Sequence, residues 1–345
     1  MDALNAISEK IWIGIDVSKS KFDVAFITKD FALSDDVFRK LPSETFSMNS
    51  TGVKKFFRWL EKRTEIRNYF IAMEATGSYS KKLFKLLLQV KQDLPIAIEN
   101  AFKTSTFIKS LNLKIKTDRS DAKALAFFAR ERNPRVVRPI DEAREQIRAM
   151  SRQRESLVVK VSGLRTTLKE SIGAIESKVV EKVLKGIVKE IEAGIKKLER
   201  ETLALIKAST ELGKEFNLLN SVIGVGPIVA VTVMGELGNL NDYRRARELS
   251  AFAGLSPRVH VSGSSVYKKT RMSKMGNTRI RKVLYMAAVS AFKNEFFEDF
   301  KSRLLEKGKH KMTIIGAIMR KLLVIMRAVI ISGKPFDRNF KKLSV

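Results

Sequence analysis

The stretch WIGIDVSKSKFDVAFI, residues 12–27, decides the fold of the first part of this chain. Two runs of β-branched and aromatic residues, 11–18 and 22–28, flank a polar Ser-Lys-Ser-Lys segment, which predicts the two strands of a β-hairpin. Asp16 lies inside the first run, where a buried carboxylate costs free energy unless a metal or a partner compensates its charge. The position of Asp16 therefore favours a functional carboxylate over a solvent-exposed one.

Three further acids lie at the ends of predicted elements. Glu74 closes a strand-like run in YFIAMEATGS, residues 69–78, and TDRSDAKAL, residues 117–125, predicts a helix start that carries Asp118 and Asp121 on one face. Each acid alone is more often a solvated turn or helix-cap residue. Together they could direct four carboxylates to one point, which suits Mg²⁺ or Mn²⁺ and work on a phosphodiester. Other acids nearby are interpreted as surface residues: Asp23, Asp35 and Asp36.

The chain is strongly basic, with a formal charge of +29 over 345 residues. Residues 243–345 hold 24 Lys and Arg against 6 Asp and Glu, a net +18 from the last third. Such charge is expected of a protein that binds nucleic acid; a membrane surface or an acidic protein is the less favoured alternative.

Composition also excludes several classes of site and location. The absence of cysteine rules out disulfides and thiolate zinc sites, and two histidines make a histidine-based site a poor hypothesis. The N-terminus shows no secretory signal pattern. The apolar stretch 312–332 is interrupted by Arg320, Lys321 and Arg327, so it predicts a buried helix with a basic edge and not a membrane span. We expect a soluble, cytoplasmic protein.

Alternating strand and helix patterns predict an α/β layer for residues 1–140, closed by Asn133-Pro134 and Arg138-Pro139. Residues 141–218 predict long charged helices with an amphipathic stripe, for example at Ile187, Ile191 and Ile195. That stripe leaves two alternatives open, an intramolecular helical hairpin and an intermolecular coiled coil. Residues 219–345 predict a third, mainly helical part.

The segment IGVGPIVA, residues 223–230, combines a glycine turn with a helix start. Backbone N–H groups at Gly224 and Gly226 could hold a DNA phosphate, as in a helix-hairpin-helix element. A plain packing turn between two helices explains the same pattern equally well.

The segment AGLSPRVHVSGSSVYKKTRMSKMGNTRIRKVLY, residues 253–285, joins a serine-rich loop to a basic run. Such a loop can contact phosphates, and a positioned serine can attack phosphorus if its proton is removed. Composition alone favours serines that only contact phosphate or lie in a flexible loop over serines that react. The candidate nucleic-acid-binding residues of the run are Lys268, Lys269, Arg271, Lys274, Arg279, Arg281 and Lys282.

These motifs, in this order, resemble the DEDD-type transposases of the insertion sequence one-ten family, which includes pilin-gene invertases and bridge-RNA-guided recombinases. The resemblance rests on WIGIDVSKSKFDV, AMEATGSY, KTDRSDAKALA, IGVGPIVA and GLSPRVHVSGSS followed by MSKMGNTRIRKVL. It implies an α/β N-terminal domain with a RuvC-like RNase H fold, a long coiled-coil-like helical middle and a mainly α C-terminal transposase domain.

The resemblance also implies roles for individual residues. The family's acidic tetrad, which holds Mg²⁺ or Mn²⁺, maps onto Asp16, Glu74, Asp118 and Asp121. Its catalytic serine maps onto Ser262 of the Ser262-Gly263 pair, with Ser264 as the second choice because the following residues depart from the commoner pattern.

The same resemblance implies a structured guide RNA from the element's flank, and the basic charge agrees with donor and target DNA as partners. We also expect a homodimer or homotetramer, because one DNA exchange needs more than one active site and the amphipathic stripe of the middle helices needs a partner. The protein is then expected in the prokaryotic cytoplasm, associated with the nucleoid.

Three functions compete at this point. The leading hypothesis is a site-specific recombinase that acts through a phosphoserine linkage. The second is a RuvC-like endonuclease or junction resolvase in which the tetrad activates water. The third is an architectural DNA-binding protein whose carboxylates only cap and solvate.

Overall fold

The computed structural model describes residues 10–31, 35–111, 117–137, 141–174, 178–262 and 266–338. Within these ranges the side chains of 35–37, 171–174, 259–262 and 266–269 lie outside the description. Backbone contacts divide the chain into two compact units, Met1–Pro139 and Ile140–Val345. The three domain ranges predicted from the sequence, 1–140, 141–218 and 219–345, stay predictions.

The described part of the first unit contains one five-stranded sheet with the order β3-β2-β1-β4-β5. β2 is antiparallel to both of its neighbours, whereas β1, β4 and β5 run parallel. The predicted hairpin around Asp16 is therefore confirmed as β1 and β2. The third strand was not predicted, because its sequence SETFS is polar and short. The strands are β1 (Lys10–Val17), β2 (Lys21–Ile27), β3 (Ser43–Ser47), β4 (Asn68–Glu74) and β5 (Ile96–Glu99).

Helices cover both faces of this sheet. Alternate residues of β1, such as Ile11 and Ile13, are fully buried in a core with α2 and α3, where Phe56 and Leu83 are also fully buried. The intervening residues, such as Trp12, pack toward α5 instead. This alternation is the two-residue period of a strand buried on both faces. The helices are α1 (Asp35–Lys40), α2 (Ser50–Glu61), α3 (Ser78–Val90), α4 (Ala101–Ser110) and α5 (Asp118–Arg132).

The second unit is mainly helical and contains one β-hairpin in its described residues. Its core is formed mostly by α8, α9, α11 and α13. Short 3₁₀ helices lie at Leu240–Asp242 and Glu295–Phe297. The longer elements are α6 (Glu142–Ala174), α7 (Lys178–Ala208), α8 (Thr210–Asn220), α9 (Pro227–Leu237), α10 (Ala246–Phe252), β6 (Pro257–Ser262), β7 (Val266–Met272), α11 (Thr278–Phe292), α12 (Glu298–Glu306) and α13 (Lys311–Ser332).

The long helices α6 and α7 pack against each other within one chain. Ion pairs support the contact: Arg154 Nε lies 2.7 Å from Glu199 Oε1, and Arg165 pairs with Glu192. Of the two alternatives left open by the sequence, the intramolecular hairpin is the arrangement observed. Self-association through the same helices stays a prediction.

Helix α13 is the buried helix predicted from residues 312–332. Ile314, Ile318 and Leu322 are fully buried in the core of the second unit, and Arg327 donates to the carbonyl oxygen of Tyr243 at 2.7 Å. Within the described residues, no helix combines the length and the apolar character needed to span a membrane.

Candidate active site

Four neighbouring strands place an acidic residue on the sheet face that α5 covers. Asp16 of β1 is paired with Asp23 of β2, and Glu74 of β4 is paired with Glu99 of β5. Ile15 is paired with Met73 on the parallel strands β1 and β4, so the next residues, Asp16 and Glu74, lie side by side on adjacent strands. Because side chains alternate along a strand, all four acids share the face that carries Trp12 and Gly14.

The first turn of α5 supplies two more carboxylates. Thr117 caps this helix: its hydroxyl accepts from the Ser120 N–H at 3.1 Å, and the Ser120 hydroxyl accepts from the Thr117 N–H at 2.7 Å. This reciprocal capping begins the helix where the sequence predicted, with Asp118 and Asp121 in its first turn. Negative charge is favourable there because the helix N-terminus is electropositive.

Gly14 allows α5 to lie against the sheet backbone to backbone. A Cβ atom at Gly14 would stand 2.0 Å from the carbonyl oxygen of Ala122 and 2.3 Å from the amide nitrogen of Ala126. Ala25 and Ala72 on the neighbouring strands are also small and buried. The absence of a side chain at Gly14 therefore sets how closely the acids of α5 approach Asp16.

The acids of β1 and α5 influence each other electrostatically. Burial, followed by the negative charges of Asp118 and Asp121, raises the pKa of Asp16 to about 6. The Val17 N–H opposes this rise by donating to Asp16 Oδ1 at 3.0 Å. Negative charge from two separate elements thus acts on Asp16.

Glu74 and Glu99 have different partners although they are paired across β4 and β5. The buried hydroxyl of Thr104, on α4, donates to Glu74 Oε2 at 2.5 Å and orients this carboxylate. Glu99 Oε1 accepts from the Asn100 N–H at 2.9 Å and lies 3.1 Å from Lys103 Nζ. Glu99 therefore has a cation beside it already, whereas Glu74 is positioned by a neutral group.

The interpretation of Asp23 as a surface residue was wrong, since it is 3% exposed. The Thr45 hydroxyl donates to Asp23 Oδ1 at 2.5 Å, and Arg119 Nε lies 3.9 Å from the same oxygen. Asp23 belongs to β2, which is buried on both faces. Its side chain is therefore buried on one face, and the side chains of its neighbours Phe22 and Val24 are buried on the other. Asp35 and Asp36 have side chains outside the described residues.

Lys21 links two carboxylates at the edge of this acidic face. Its Nζ lies 3.1 Å from Asp118 Oδ2 and 3.6 Å from Asp23 Oδ2. The hydrogen bond to Asp118 and the charge of Asp23 raise the pKa of Lys21. Lys21 thus joins Arg119 and Lys103 as a cation of the protein's own beside these acids.

The acids of this face are of the type that binds a divalent metal ion, but their carboxylates are too far apart to enclose one. Carboxylate oxygens are the ligands that Mg²⁺ and Mn²⁺ prefer, and the raised pKa of Asp16 marks negative charge that a cation would relieve. In the described part of the chain, no three histidine or acidic side chains lie close enough together to enclose a metal ion. The residues present therefore fit such an ion by type, with the carboxylates still apart.

The serine-rich segment of the second unit forms a β-hairpin and not the loop expected from the sequence. Ser262 is the last residue of β6 and is paired with Val266 of β7. Ser264 lies in 263–265, outside the described residues, as do the side chains of Ser262, Lys268 and Lys269. The first-choice serine is therefore the last residue of a strand.

Several of the predicted nucleic-acid-binding residues are paired within the protein. Arg279 Nε and Lys282 Nζ lie 3.0 and 2.8 Å from the carboxylate of Glu155 on α6. Arg281 donates to the carbonyl oxygen of Ala253 at 3.1 Å. The remaining described candidates, Arg271 and Lys274, have exposed side chains.

A buried carboxylate anchors the start of α11, where these basic residues lie. Arg152 donates to both oxygens of Glu236, at 2.6 and 2.8 Å, and the Asn277 amide donates to Glu236 Oε2 at 2.8 Å. Burial opposes ionisation of Glu236, but these donors lower its pKa. Asn277 also caps α11 by accepting from the Arg279 and Ile280 N–H groups. The segment that follows β7 is thereby joined to α6 and α9.

The two glycines of the predicted phosphate-binding turn differ. Gly224 has a positive φ of 79°, and a Cβ there would stand 2.5 Å from the carbonyl oxygen of Ala287 on α11, so packing accounts for this glycine. Gly226 is the N-cap of α9, and a Cβ there would meet no atom within 4 Å. Phosphate contact at either glycine stays a prediction.

Comparison with known proteins identifies the family. A DEDD-type transposase family matches residues 13–173, and the family described as "Transposase IS116/IS110/IS902 family" matches residues 216–302. The pilin gene-inverting proteins of Moraxella lacunata and Moraxella bovis are each 30% identical over 333 residues, which cover 96% of this chain and 98% of theirs. The chain belongs to this transposase family. The transposase for insertion sequence element IS1111A of Coxiella burnetii is 28% identical over 201 residues, 50% of this chain and 54% of that protein.

The resemblance seen in the sequence motifs is thus confirmed, and the protein is a DNA-rearranging enzyme. The family match over residues 13–173 contains the four predicted acids, and the match over residues 216–302 contains Ser262 and the basic run.

Sequence reasoning missed four residues that shape these regions: Lys21, Asp23, Glu99 and Glu155. A signal existed for Asp23 and Glu99, because counting in steps of two from buried strand residues places both on the face of Asp16 and Glu74. No comparable signal existed for Glu155, since it lies more than a hundred residues before the cations it pairs with.

Proposed function

We propose that this transposase is a site-specific recombinase that cuts and rejoins DNA through a phosphoserine intermediate. The observation that carries the proposal is the acidic face itself, where Asp16 and Glu74 on adjacent strands lie under the helix that begins with Asp118 and Asp121. The strand order β3-β2-β1-β4-β5, with β2 antiparallel to both neighbours, supports a RuvC-like RNase H fold for the first unit.

Asp16, Glu74, Asp118 and Asp121 would hold Mg²⁺ or Mn²⁺, which supplies stabilisation of the charge on the transferring phosphoryl group. The chain's own residues prepare these ligands. Thr104 fixes the carboxylate of Glu74, and Lys21 holds Asp118 near the face by a 3.1 Å contact. Lys21 thereby offsets part of the acidic charge before any other cation arrives.

In the proposed reaction, Ser262 Oγ forms a bond to phosphorus and the bond to one DNA oxygen breaks. The serine hydroxyl loses one proton and the departing DNA oxygen gains one, so no net charge is created. Attack by a DNA hydroxyl on the phosphoserine then rejoins a strand and releases the serine. Lys268, Lys269 and Arg271 would neutralise the phosphate. Ser264 is the second choice for the nucleophile.

The overall outcome and the partners are also proposals. The Moraxella relatives are named pilin gene-inverting proteins, which supports inversion or transposition of a DNA segment. A structured guide RNA follows from the family resemblance, and the charge of +29 suits a second polyanion. Exposed Val179, Val183 and Ile187 lie four residues apart on α7 and would drive a homodimer or homotetramer.

Trapping of the covalent intermediate tests the proposed function. Full-length protein, with the flanking RNA of the element, is incubated with nicked DNA bearing the element's ends, and the adduct is mapped by mass spectrometry. We expect an adduct on Ser262 that Ser262→Ala abolishes. Ser273→Ala is the matched control, because that hydroxyl already donates to the Gly254 carbonyl oxygen.

An adduct on Ser264 would move the nucleophile by two residues and keep the mechanism. DNA cleavage without any adduct, retained in both Ser262→Ala and Ser264→Ala, would instead support the RuvC-like endonuclease that activates water. If the wild-type protein neither cleaves DNA nor exchanges strands, and Asp16→Asn binds DNA as the wild type does, the result would support the architectural DNA-binding protein.

A further inference from the structure

The second unit contains an apolar groove that the proposed chemistry does not use. It has a volume of about 1020 Å³ and lies between α6, α9, α11 and α13, next to the end of β7. Its floor includes the buried side chains of Val229, Ile315 and Met319, and Met272 extends into it from β7. All of these residues belong to one unit.

The edges of the groove expose apolar side chains to an unusual degree. Ile228 is 43% exposed, Tyr285 38%, Met286 65% and Met312 53%. A contiguous apolar surface of this kind marks a binding site more often than chance exposure does. Methionine side chains are flexible and polarisable, so they can adapt to flat ligands of varied shape.

Charge around the groove selects an anionic occupant. Among the described residues that line it, the basic ones are Arg154, Lys274, Arg279, Arg281 and Lys282, whereas Glu155 is the acidic one. Glu155 pairs with Arg279 and Lys282, and Glu199 pairs with Arg154, but the cations still outnumber these acids. The first turn of α9, from Gly226 to Val229, also lines the groove, and this helix N-terminus has no side-chain cap. An occupant must therefore combine negative charge with apolar surface.

An unpaired DNA strand has both properties. Its phosphates match the cationic edge, and its unstacked bases offer flat apolar faces to tyrosine and methionine. A duplex hides those faces, so strand opening is required. The strand exchange proposed above would separate paired strands next to each break, which makes a DNA strand a better match than an acidic protein helix.

We propose that this groove binds unstacked bases of a single DNA strand, with the strand's phosphates along the cationic edge. The inference rests on the proposed strand exchange and adds the place where an opened strand is held. Tyr285 and Met312 contact the bases, and Lys274 contacts the backbone.

Fluorescence anisotropy on the full-length protein tests this inference. The probes are a labelled thymidine 20-mer and an abasic 20-mer, which has the same phosphates and no bases. We expect the wild type to bind the thymidine strand about tenfold more tightly than the abasic one, because base stacking contributes only to the first.

The double variant Tyr285→Ala/Met312→Ala should lose this preference and keep its affinity for the abasic strand. The matched control is Leu305→Ala/Ile331→Ala, whose side chains are 53% and 52% exposed in the same unit and do not line the groove. The control should retain the full preference, and circular dichroism melting should show that both variants are folded.

Equal binding of the thymidine and abasic strands by the wild type would overturn the inference while leaving the serine chemistry untouched. A uridine 20-mer that binds at least about tenfold more tightly than thymidine would assign the groove to RNA and overturn the DNA assignment. A groove variant that changes the mass in light scattering, with unchanged affinity for the thymidine strand, would make the groove an interface between copies. No binding of any strand would count against both proposals.

Discussion

In the first unit, negative charges crowd together on the α5 face of the sheet, whereas in the second unit the basic side chains of α11 are mostly paired. Asp16 meets the like charges of Asp118 and Asp121, and its pKa rises to about 6. Arg279 and Lys282 instead share the carboxylate of Glu155. In the first unit, like-charged carboxylates repel one another, whereas in the second unit Glu155 neutralises part of the positive charge of α11.

The difference shows how each region acquires its charge. The acids of the first unit are brought together by strand register and by the close approach that Gly14 permits, so the backbone holds them despite their repulsion. The cations of the second unit lie on a helix surface, where side chains rotate to find partners. Repulsion that the backbone enforces costs stability and prepares a site for a cation.

The largest effect is expected from removing a carboxylate of the acidic face. Asp16→Asn and Asp121→Asn should each reduce strand exchange on the order of a thousandfold, because an amide replaces a metal ligand poorly. Plasmid inversion or transposition measures the loss, and anisotropy should show DNA affinity close to that of the wild type. Asp30→Asn, at an exposed turn of the same unit, is the control. Full activity in Asp16→Asn would remove the acids from the mechanism.

The next effect tests whether the backbone holds the acids together. Gly14→Ala should lower the free energy of unfolding of the first unit by about 1–3 kcal/mol, because its Cβ overlaps α5. Both tryptophans of the chain, Trp12 and Trp59, lie in this unit, so their fluorescence in urea reports it selectively.

The matched control for this substitution is Gly163→Ala on α6, where a Cβ meets no atom within 4 Å. It should leave the tryptophan transition unchanged. A Gly14→Ala protein as stable as the wild type would show that α5 can move without cost.

A smaller effect tests the stored repulsion directly. The folded protein keeps a proton on Asp16 up to a pKa of about 6, above the ordinary value of 3.8, so stability falls as the pH rises from about 4 to about 6. Asp16→Asn should therefore be more stable than the wild type at pH 7.5, by about 1–2 kcal/mol after allowance for solvent screening. The difference should disappear below about pH 4. Urea unfolding at both pH values measures it, and a variant less stable than the wild type at pH 7.5 would refute the repulsion.

The smallest effect concerns the paired cations. Glu155→Gln should release Arg279 and Lys282, strengthen duplex binding about two- to fivefold, and steepen the salt dependence of the affinity by about one phosphate contact. Anisotropy between 50 and 200 mM salt, roughly the range over which such contacts are resolved, measures both quantities. Glu201→Gln, an exposed acid on α7, is the control. An unchanged salt slope would mean that these two cations do not reach DNA.

Part of this architecture could be predicted because it depends on neighbours in sequence. The hairpin around Asp16, the helix start at Thr117 and the buried α13 all follow from periodicity and capping. The strand SETFS was missed because it is short and mostly polar and forms only by pairing with β2. The β6–β7 hairpin was missed because its serines and basic residues resemble a loop, and its strands form only by pairing with each other. The burial of Asp23 was missed because one strand alone does not reveal that α5 covers its other face.

The sequence by itself determined the family, the strands that carry Asp16 and Glu74, and the helix start that carries Asp118 and Asp121. Those features arise from local steric preference and motif order. The tertiary structure alone decided that Asp23 and Glu99 extend the acidic row, that Lys21 links Asp23 to Asp118, and that Glu155 neutralises two cations of α11. These contacts join residues far apart in the chain, and their electrostatic energy depends on distance and burial, which only the folded protein defines.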